Sequence, residues 1–117
     1  PTRDLNYVAN TAEAFALAAL SPTAVGQTIN VGTGKEISVG DLARLIVEIV
    51  GRDVDVESEE ERIRPKGSEV ERLVADNARA VELLGWKPVV SLREGLERTV
   101  EWVRENLERY RPDVYTV

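Results

Sequence analysis

The sequence predicts an α/β domain of about four helices and two or three short strands, too few strands for a complete doubly wound sheet. Three observations predict it. Apolar residues recur at helical spacing in four separate stretches, short extended stretches lie between them, and a glycine, proline or capping side chain stands at most boundaries. A chain of 117 residues is one domain by length. No repeat, low-complexity stretch or linker divides it.

The first helix is expected over residues 8–20, where Val8, Ala12, Phe15, Ala16 and Ala19 form one small-residue face. Asn10 or Thr11 can serve as its N-cap, and Ser21-Pro22 ends it. Gln27-Thr28-Ile29-Asn30-Val31 reads as a short strand, and Gly32-Thr33-Gly34 then turns the chain. Ser38 and Asp41 stand at capping-box spacing, Ile37 and Leu42 at hydrophobic-staple spacing. Leu42, Leu45, Ile46, Ile49 and Val50 give the stripe of the second helix, with Gly51 placed to stop it.

Val54 and Val56 alternate with Asp55 and Glu57 as a half-buried strand would. The acidic run 57–61 reads as a solvated loop, and residues 71–75 as a short extended segment. Asp76 caps a helix through Leu84, which Gly85 stops, and Pro88 breaks the chain. Ser91 and Glu94 open the last helix with another capping box. Its stripe runs Leu92, Leu96, Val100, Val103 and Leu107, with Tyr110 at the end and Arg111-Pro112 closing it. The alanine face of the first helix calls for a sheet that this chain does not supply. Uncovered apolar area of that kind predicts pairing with another copy, hence a homo-oligomer.

Composition removes several classes of function. The net charge of −6 argues against a nucleic-acid binder, which needs clustered Lys and Arg. Cysteine and histidine are both absent, so zinc sites, thiol chemistry and His-based triads are excluded within this chain. No apolar run is long enough to span a membrane. The lack of cysteine suits a reducing, cytoplasmic setting. The chain begins at Pro1 without a Met, and the expectation is a piece of something longer.

Three places carry residues that a phosphorylated ligand would use: Arg3-Asp4, Gly32-Thr33-Gly34, and the segment 62–69 with Arg64, Pro65 and Glu69. The glycine pair is neither a dinucleotide fingerprint nor a phosphate-binding P-loop, because the further residues of those motifs are missing. Glycines after a strand usually just make a turn. Arg64 is a fixed positive fork able to take two phosphate oxygens, and Glu69 could accept bonds from a ribose diol. The plain alternative is that these charges pair with Glu59 to Glu61 on the surface. No catalytic residue is nominated: neither Tyr7, Tyr110 nor Tyr115 has a Lys four residues later.

Taken in order, the motifs resemble a known family. Arg3-Asp4-x-x-Tyr7-Val8, Asn10-Thr11-x-x-Ala14-Phe15, Ile29-Asn30-Val31-Gly32-Thr33-Gly34 and Ile37-Ser38-Val39 are followed by Arg64-Pro65 and Ser68-Glu69-Val70. Then come Asp76-Asn77-x-x-Ala80, Leu84-Gly85-Trp86-x-Pro88 and Leu92-x-Glu94-Gly95-Leu96-x-x-Thr99-Val100-x-Trp102. This is similar to the C-terminal, substrate-binding part of extended short-chain dehydrogenases/reductases that act as NAD-dependent nucleotide-sugar epimerases and dehydratases. The Arg-x-Arg-Pro-x-x-Ser-Glu-Val form and the ending from Tyr110 to Tyr115 look most like dehydratases of nucleotide-linked N-acetylglucosamine in legionaminic-type pathways.

The resemblance implies that Arg3 and Arg64 bind the substrate diphosphate, that Glu69 bonds the ribose, and that Asn30 to Gly34 sit near the nucleotide. It also implies that the Rossmann core, with the NAD site and a Tyr-x-x-x-Lys pair, lies upstream. Residues 1–25 would then pack on that missing domain, and this chain alone would bind no NAD and be inactive. The family usually has Asp at the position of Asn10, so a charge contact would be lost here. The competing reading is a stand-alone interaction module that keeps the fold without the chemistry.

Overall fold

The computed structural model describes residues 1–52, 54–55 and 70–110. Among them are four α-helices and three two-residue strands. In chain order these are β1 (Thr2–Arg3), α1 (Val8–Leu20), β2 (Ile37–Ser38), α2 (Val39–Val50), β3 (Arg72–Leu73), α3 (Ala78–Leu84) and α4 (Leu92–Glu105). The sheet has order β2-β1-β3. β1 runs antiparallel to β2, with Thr2 opposite Ser38, and parallel to β3, with Thr2 opposite Arg72. No helix among the described residues is long and apolar enough to cross a membrane.

The helices begin and end largely where local chemistry dictates. The Ser38 hydroxyl accepts from the Asp41 amide at 3.0 Å and donates to the Asp41 carboxylate at 2.6 Å, opening α2. Gly51 closes it in the left-handed conformation, φ 71°, which glycine adopts without a Cβ clash. Ser91 accepts from the Glu94 amide at the start of α4, and Gly85 ends α3 at φ 63°. The Asp76 carboxylate accepts from the Ala78 amide ahead of α3. α2 packs on α4, tied at its edges by the Arg93–Glu48 pair and by Arg104 donating to the Val50 carbonyl.

Four expectations need correction. α1 starts at Val8 with Tyr7 in the capping position, so neither Asn10 nor Thr11 is the N-cap. Residues 27–31 form no ladder; Ile29 and Val31 instead rest on the core, and Arg79 bonds the Thr28 carbonyl. A strand exists only where a second strand meets its N–H and C=O groups, and among the described residues nothing pairs with this stretch. Val54 and Asp55 are exposed and not in a strand, while Val56 lies outside the described residues. The last helix stops at Glu105, and Leu107–Arg109 is a separate 3₁₀ turn that brings Tyr110 edge-on to Trp102, ring centroids 6.2 Å apart. The acidic run 57–61 and Arg111-Pro112 also lie outside the described residues. β3 falls inside the expected 71–75 segment, whereas β1 and β2 carry no strand pattern of their own.

The core is small: Ala14, Ala80 and Trp86, with Leu17, Ile29, Val31 and Leu84 packed around them. Ala14 and Ala80 let α1 and α3 approach closely. Asn10 is the one buried polar residue among those described, and it replaces a cap with a tertiary lock. Its Oδ1 accepts from the amides of Val89 (3.2 Å) and Val90 (3.0 Å). Its Nδ2 donates to the Val90 carbonyl (2.9 Å) and to Asn6 Oδ1 (3.0 Å), and its own carbonyl accepts from Trp86 Nε1 at 2.8 Å. Each buried polar atom is thereby satisfied, as burial demands.

The opposite side of α1 is bare. Val8, Phe15 and Leu20 are 70%, 73% and 82% exposed, and Ala12, Ala16 and Ala19 lie exposed between them. This is the small-residue face marked in the sequence. The covered face is the other one, through Asn10, Ala14 and Leu17.

Two glycine substitutions should move stability in opposite directions. A Cβ on Gly95 would stand 2.9 Å from Tyr7 Cβ and 3.0 Å from its ring, so Gly95→Ala forces α4 away from that segment. A cost of about 1–3 kcal/mol is expected, the usual range for overpacking. Gly40, with nothing nearer than 3.9 Å, should instead gain about 0.5–1 kcal/mol on change to Ala. Urea midpoints of the two variants check the pair. Separately, Asn10→Asp sets a carboxylate oxygen against the Val90 carbonyl in place of a donor. A loss of about 1–3 kcal/mol is expected, smaller at pH 4 than at pH 8, because a protonated carboxyl restores the donor. Thermal melts at both pH values test this.

Candidate functional site

The central strand β1 brings together two of the three places that the sequence singles out, Arg3-Asp4 and Gly32-Thr33-Gly34. Arg3 lies within it and Asp4 follows it directly, with the Asp4 amide donating to the Leu73 carbonyl at 3.0 Å. Neighbouring residues on an extended chain point to opposite sides, and these two side chains serve different segments.

The Asp4 carboxylate turns to the glycine loop. Oδ1 accepts from the Thr33 amide at 3.0 Å and from the Thr33 hydroxyl. Oδ2 accepts from the Gly34 amide at 2.9 Å and from the Ala75 amide, just past β3, at 3.3 Å. The loop can wrap this closely only because of its glycines. A Cβ on buried Gly32 would fall 2.4 Å from Ala75 Cβ and 2.8 Å from Asp4 Oδ2. Gly34 takes φ +70°, where other residues are strained. Asn77 Nδ2 adds a bond to the Gly32 carbonyl at 2.8 Å. Successive amides converging on one anion form a nest, and here the anion is the protein's own. Burial pushes the Asp4 carboxyl upward, but the bonds from the Thr33 hydroxyl and the Gly34, Thr33 and Ala75 amides outweigh it and hold the group below its ordinary value.

Arg3 turns the other way. Its Nη1 donates to the Thr2 carbonyl at 2.8 Å and to the Val70 carbonyl at 2.6 Å. Val70 follows Glu69 in the sequence; Arg64 and Glu69 themselves lie outside the described residues. Glu36 ties β2 to the same edge, accepting from the Thr2 hydroxyl at 2.6 Å and from Arg72 Nε at 3.0 and 3.1 Å. The Thr2 bond first, then Arg72, lowers the Glu36 carboxyl. Asn30 is exposed and lines an open depression of about 470 Å³ with Asp4, Asn6, Gly32 and Asp76.

Among the described residues no cluster of carboxylates could hold a metal ion. Tyr7 packs against Gly95 and under the Arg98 guanidinium, 5.7 Å from its ring centroid. The role of Asp4 as the anion of the glycine loop was missed in the sequence. Its signal is there in retrospect: a lone acidic residue after an extended start, and a Gly-Thr-Gly turn with no phosphate motif to explain it.

The family model described as GDP-mannose 4,6 dehydratase matches residues 1–99. The chain belongs to the extended short-chain dehydrogenase/reductase family of nucleotide-sugar epimerases and dehydratases. A UDP-glucose 4-epimerase of Mycolicibacterium smegmatis is 41% identical to it over 103 residues, covering 88% of this chain and 31% of that protein. The crystal structure of a UDP-glucose 4-epimerase from Thermotoga maritima with UDP-glucose superposes with TM-score 0.80 at 36% identity, covering 91% of this chain and 32% of that one. The Bordetella bronchiseptica enzyme WbmF, solved with NAD+ and UDP, gives TM-score 0.75 at 31% identity over 93% of this chain and 31% of WbmF. The chain spans about a third of the length of these epimerase/dehydratase relatives.

An acid titration tests the Asp4 nest. A carboxyl held below the unfolded value of about 3.9 stabilises the fold above that pH, and the contribution is lost as pH falls through the lowered folded value. Asp4→Asn should therefore be less stable than wild type at pH 7, with the gap closing below about pH 4. Urea midpoints from pH 2 to 7 read this out; a gap constant across that range would contradict it.

Proposed function

We propose that this chain is the nucleotide-sugar-binding portion of an NAD-dependent 4,6-dehydratase or epimerase. Arg3 and Arg64 grip the diphosphate, Glu69 bonds the ribose, and Asn30 lies beside the nucleotide. The observation that carries this reading is the meeting at β1: Arg3 bonds the residue next to Glu69, while Asp4 holds the loop that follows Asn30. A guanidinium offers five N–H donors in a planar fork suited to phosphate oxygens. Membership of an epimerase/dehydratase family supports the ligand class.

The chemistry belongs to the rest of the parent enzyme. The Thr33 and Gly34 amides donate to a carboxylate of this chain, so that loop does not fit a dinucleotide. On this reading a dinucleotide-binding portion with the NAD site and a Tyr-x-x-x-Lys pair precedes Pro1. The bare face of α1, together with the unladdered stretch 27–31, packs against its sheet. Self-association and a cytoplasmic setting form part of the same proposal. Dehydratase rather than epimerase, and the legionaminic-type branch in particular, rests on the Arg-x-Arg-Pro-x-x-Ser-Glu-Val segment at 62–70.

Calorimetry on the intact enzyme with UDP, GDP and dTDP tests the reading and ranks the base. One of the three should bind saturably, and Arg3→Ala should weaken it about 10- to 100-fold, the range for a charged hydrogen bond. A stand-alone interaction module would bind none of them.

A further inference from the structure

We propose that Asp4 is a positioning residue for ligand binding: clamped between the 32–34 loop and Ala75, it fixes the strand from which Arg3 engages the diphosphate. This rests on the reading of Arg3 as a diphosphate ligand.

The reason for such a residue lies in how short β1 is. The strand is two residues long. Backbone bonds at its ends run from Thr2 to the Glu71 carbonyl at 2.8 Å, from Asp4 to the Leu73 carbonyl at 3.0 Å, and from Val39 to the Pro1 carbonyl at 3.2 Å. A ladder this short leaves the strand free to shift or fray. The Asp4 carboxylate adds three amide bonds and a hydroxyl bond from two other segments. Asp4 is thereby held through both its main chain and its side chain. The Arg3 Cα is one peptide unit away, about 3.8 Å, so fixing Asp4 fixes the root of the guanidinium. The Val70 carbonyl, which Arg3 bonds at 2.6 Å, sits at the foot of β3, the strand that Asp4 grips beyond its far end at Ala75. Asp4 therefore sets both the origin of the Arg3 side chain and the position of a carbonyl that directs it.

The same geometry separates this role from direct ligand binding. Oδ1 and Oδ2 each already accept two hydrogen bonds, and a carboxylate repels a diphosphate. Its influence on the ligand must pass through Arg3 and the strand.

A double-mutant cycle on the intact enzyme decides the matter, with UDP affinity measured by calorimetry. Asp4→Asn keeps size and one acceptor but sets an NH₂ group against amide donors. It should weaken UDP binding about tenfold in the wild-type background and less than about twofold in the Arg3→Ala background. Thr33→Val, which removes only the hydroxyl, should show a smaller loss with the same dependence on Arg3, and serves if Asp4→Asn does not fold. Equal losses in both backgrounds would overturn the proposal, since Asp4 would then act on the fold as a whole. No loss in a folded variant would overturn it too. If Arg3→Ala alone leaves UDP affinity unchanged, the diphosphate role of Arg3 fails and this proposal with it; if Arg3→Ala weakens binding but the effects add, only this proposal fails.

Discussion

Backbone amides that converge on a point need an anion, and here the chain supplies its own in the carboxylate of Asp4. Everything near the N-terminus is arranged around that requirement. Gly32 lacks a side chain so that the loop can close on the carboxylate, Gly34 takes a left-handed turn to aim its N–H, and Ala75 brings in the end of β3. Were that carboxylate absent, the part-buried Thr33 and Ala75 amides would lose their acceptor, which is costly beyond the bond itself. Three sequence-distant segments share one acceptor group, so the loop, the strand end and the start of the chain hold together or come apart as a unit.

A second lock of the same kind sits in the first turn of α1. Asn10 has both a donor and an acceptor on one side chain and uses both on the Val89 and Val90 backbone, while its carbonyl orients Trp86. A carboxylate could accept from the Val89 and Val90 amides but could not donate to the Val90 carbonyl. Asparagine, which can do both, is thus matched to the groups that surround it in this chain. With so few large side chains fully buried, these two polar locks specify the arrangement at least as much as the apolar core does.

Much of this was legible in the sequence, and the boundary of what was legible has a physical cause. Helix limits are local matters: Ser38, Ser91, Gly51 and Gly85 announce α2, α3 and α4 because capping and left-handed turns involve residues a few positions apart. The face of α1 through Val8, Ala12, Phe15 and Ala19 was visible from spacing alone, as was the fact that it lacks a cover. Of the strands only β3, inside the expected 71–75 segment, was legible. β1 and β2 are two residues each and have no room to display alternation, whereas 27–31 alternates well and finds no partner among the described residues. Asn10 read as a cap because Asn often is one; its true partners lie some 80 residues away. Arg3, Asp4 and Gly32-Thr33-Gly34 were each marked, but that Asp4 fills the glycine loop is a long-range fact that no local pattern encodes.

The sheet joins residues far apart in the sequence. Arg3 meets Val70 across 67 positions and Asp4 meets Ala75 across 71, while every helix closes on contacts within a turn. Chain closure over such a span must be completed before the bonds that reward it can form. The helix bonds close over short loops, whereas β1 must wait for the chain through Ala75 to be in place. In a ribosome-bound chain, Arg3 emerges first among the described site residues yet becomes oriented only after the chain through Ala75 has followed it out.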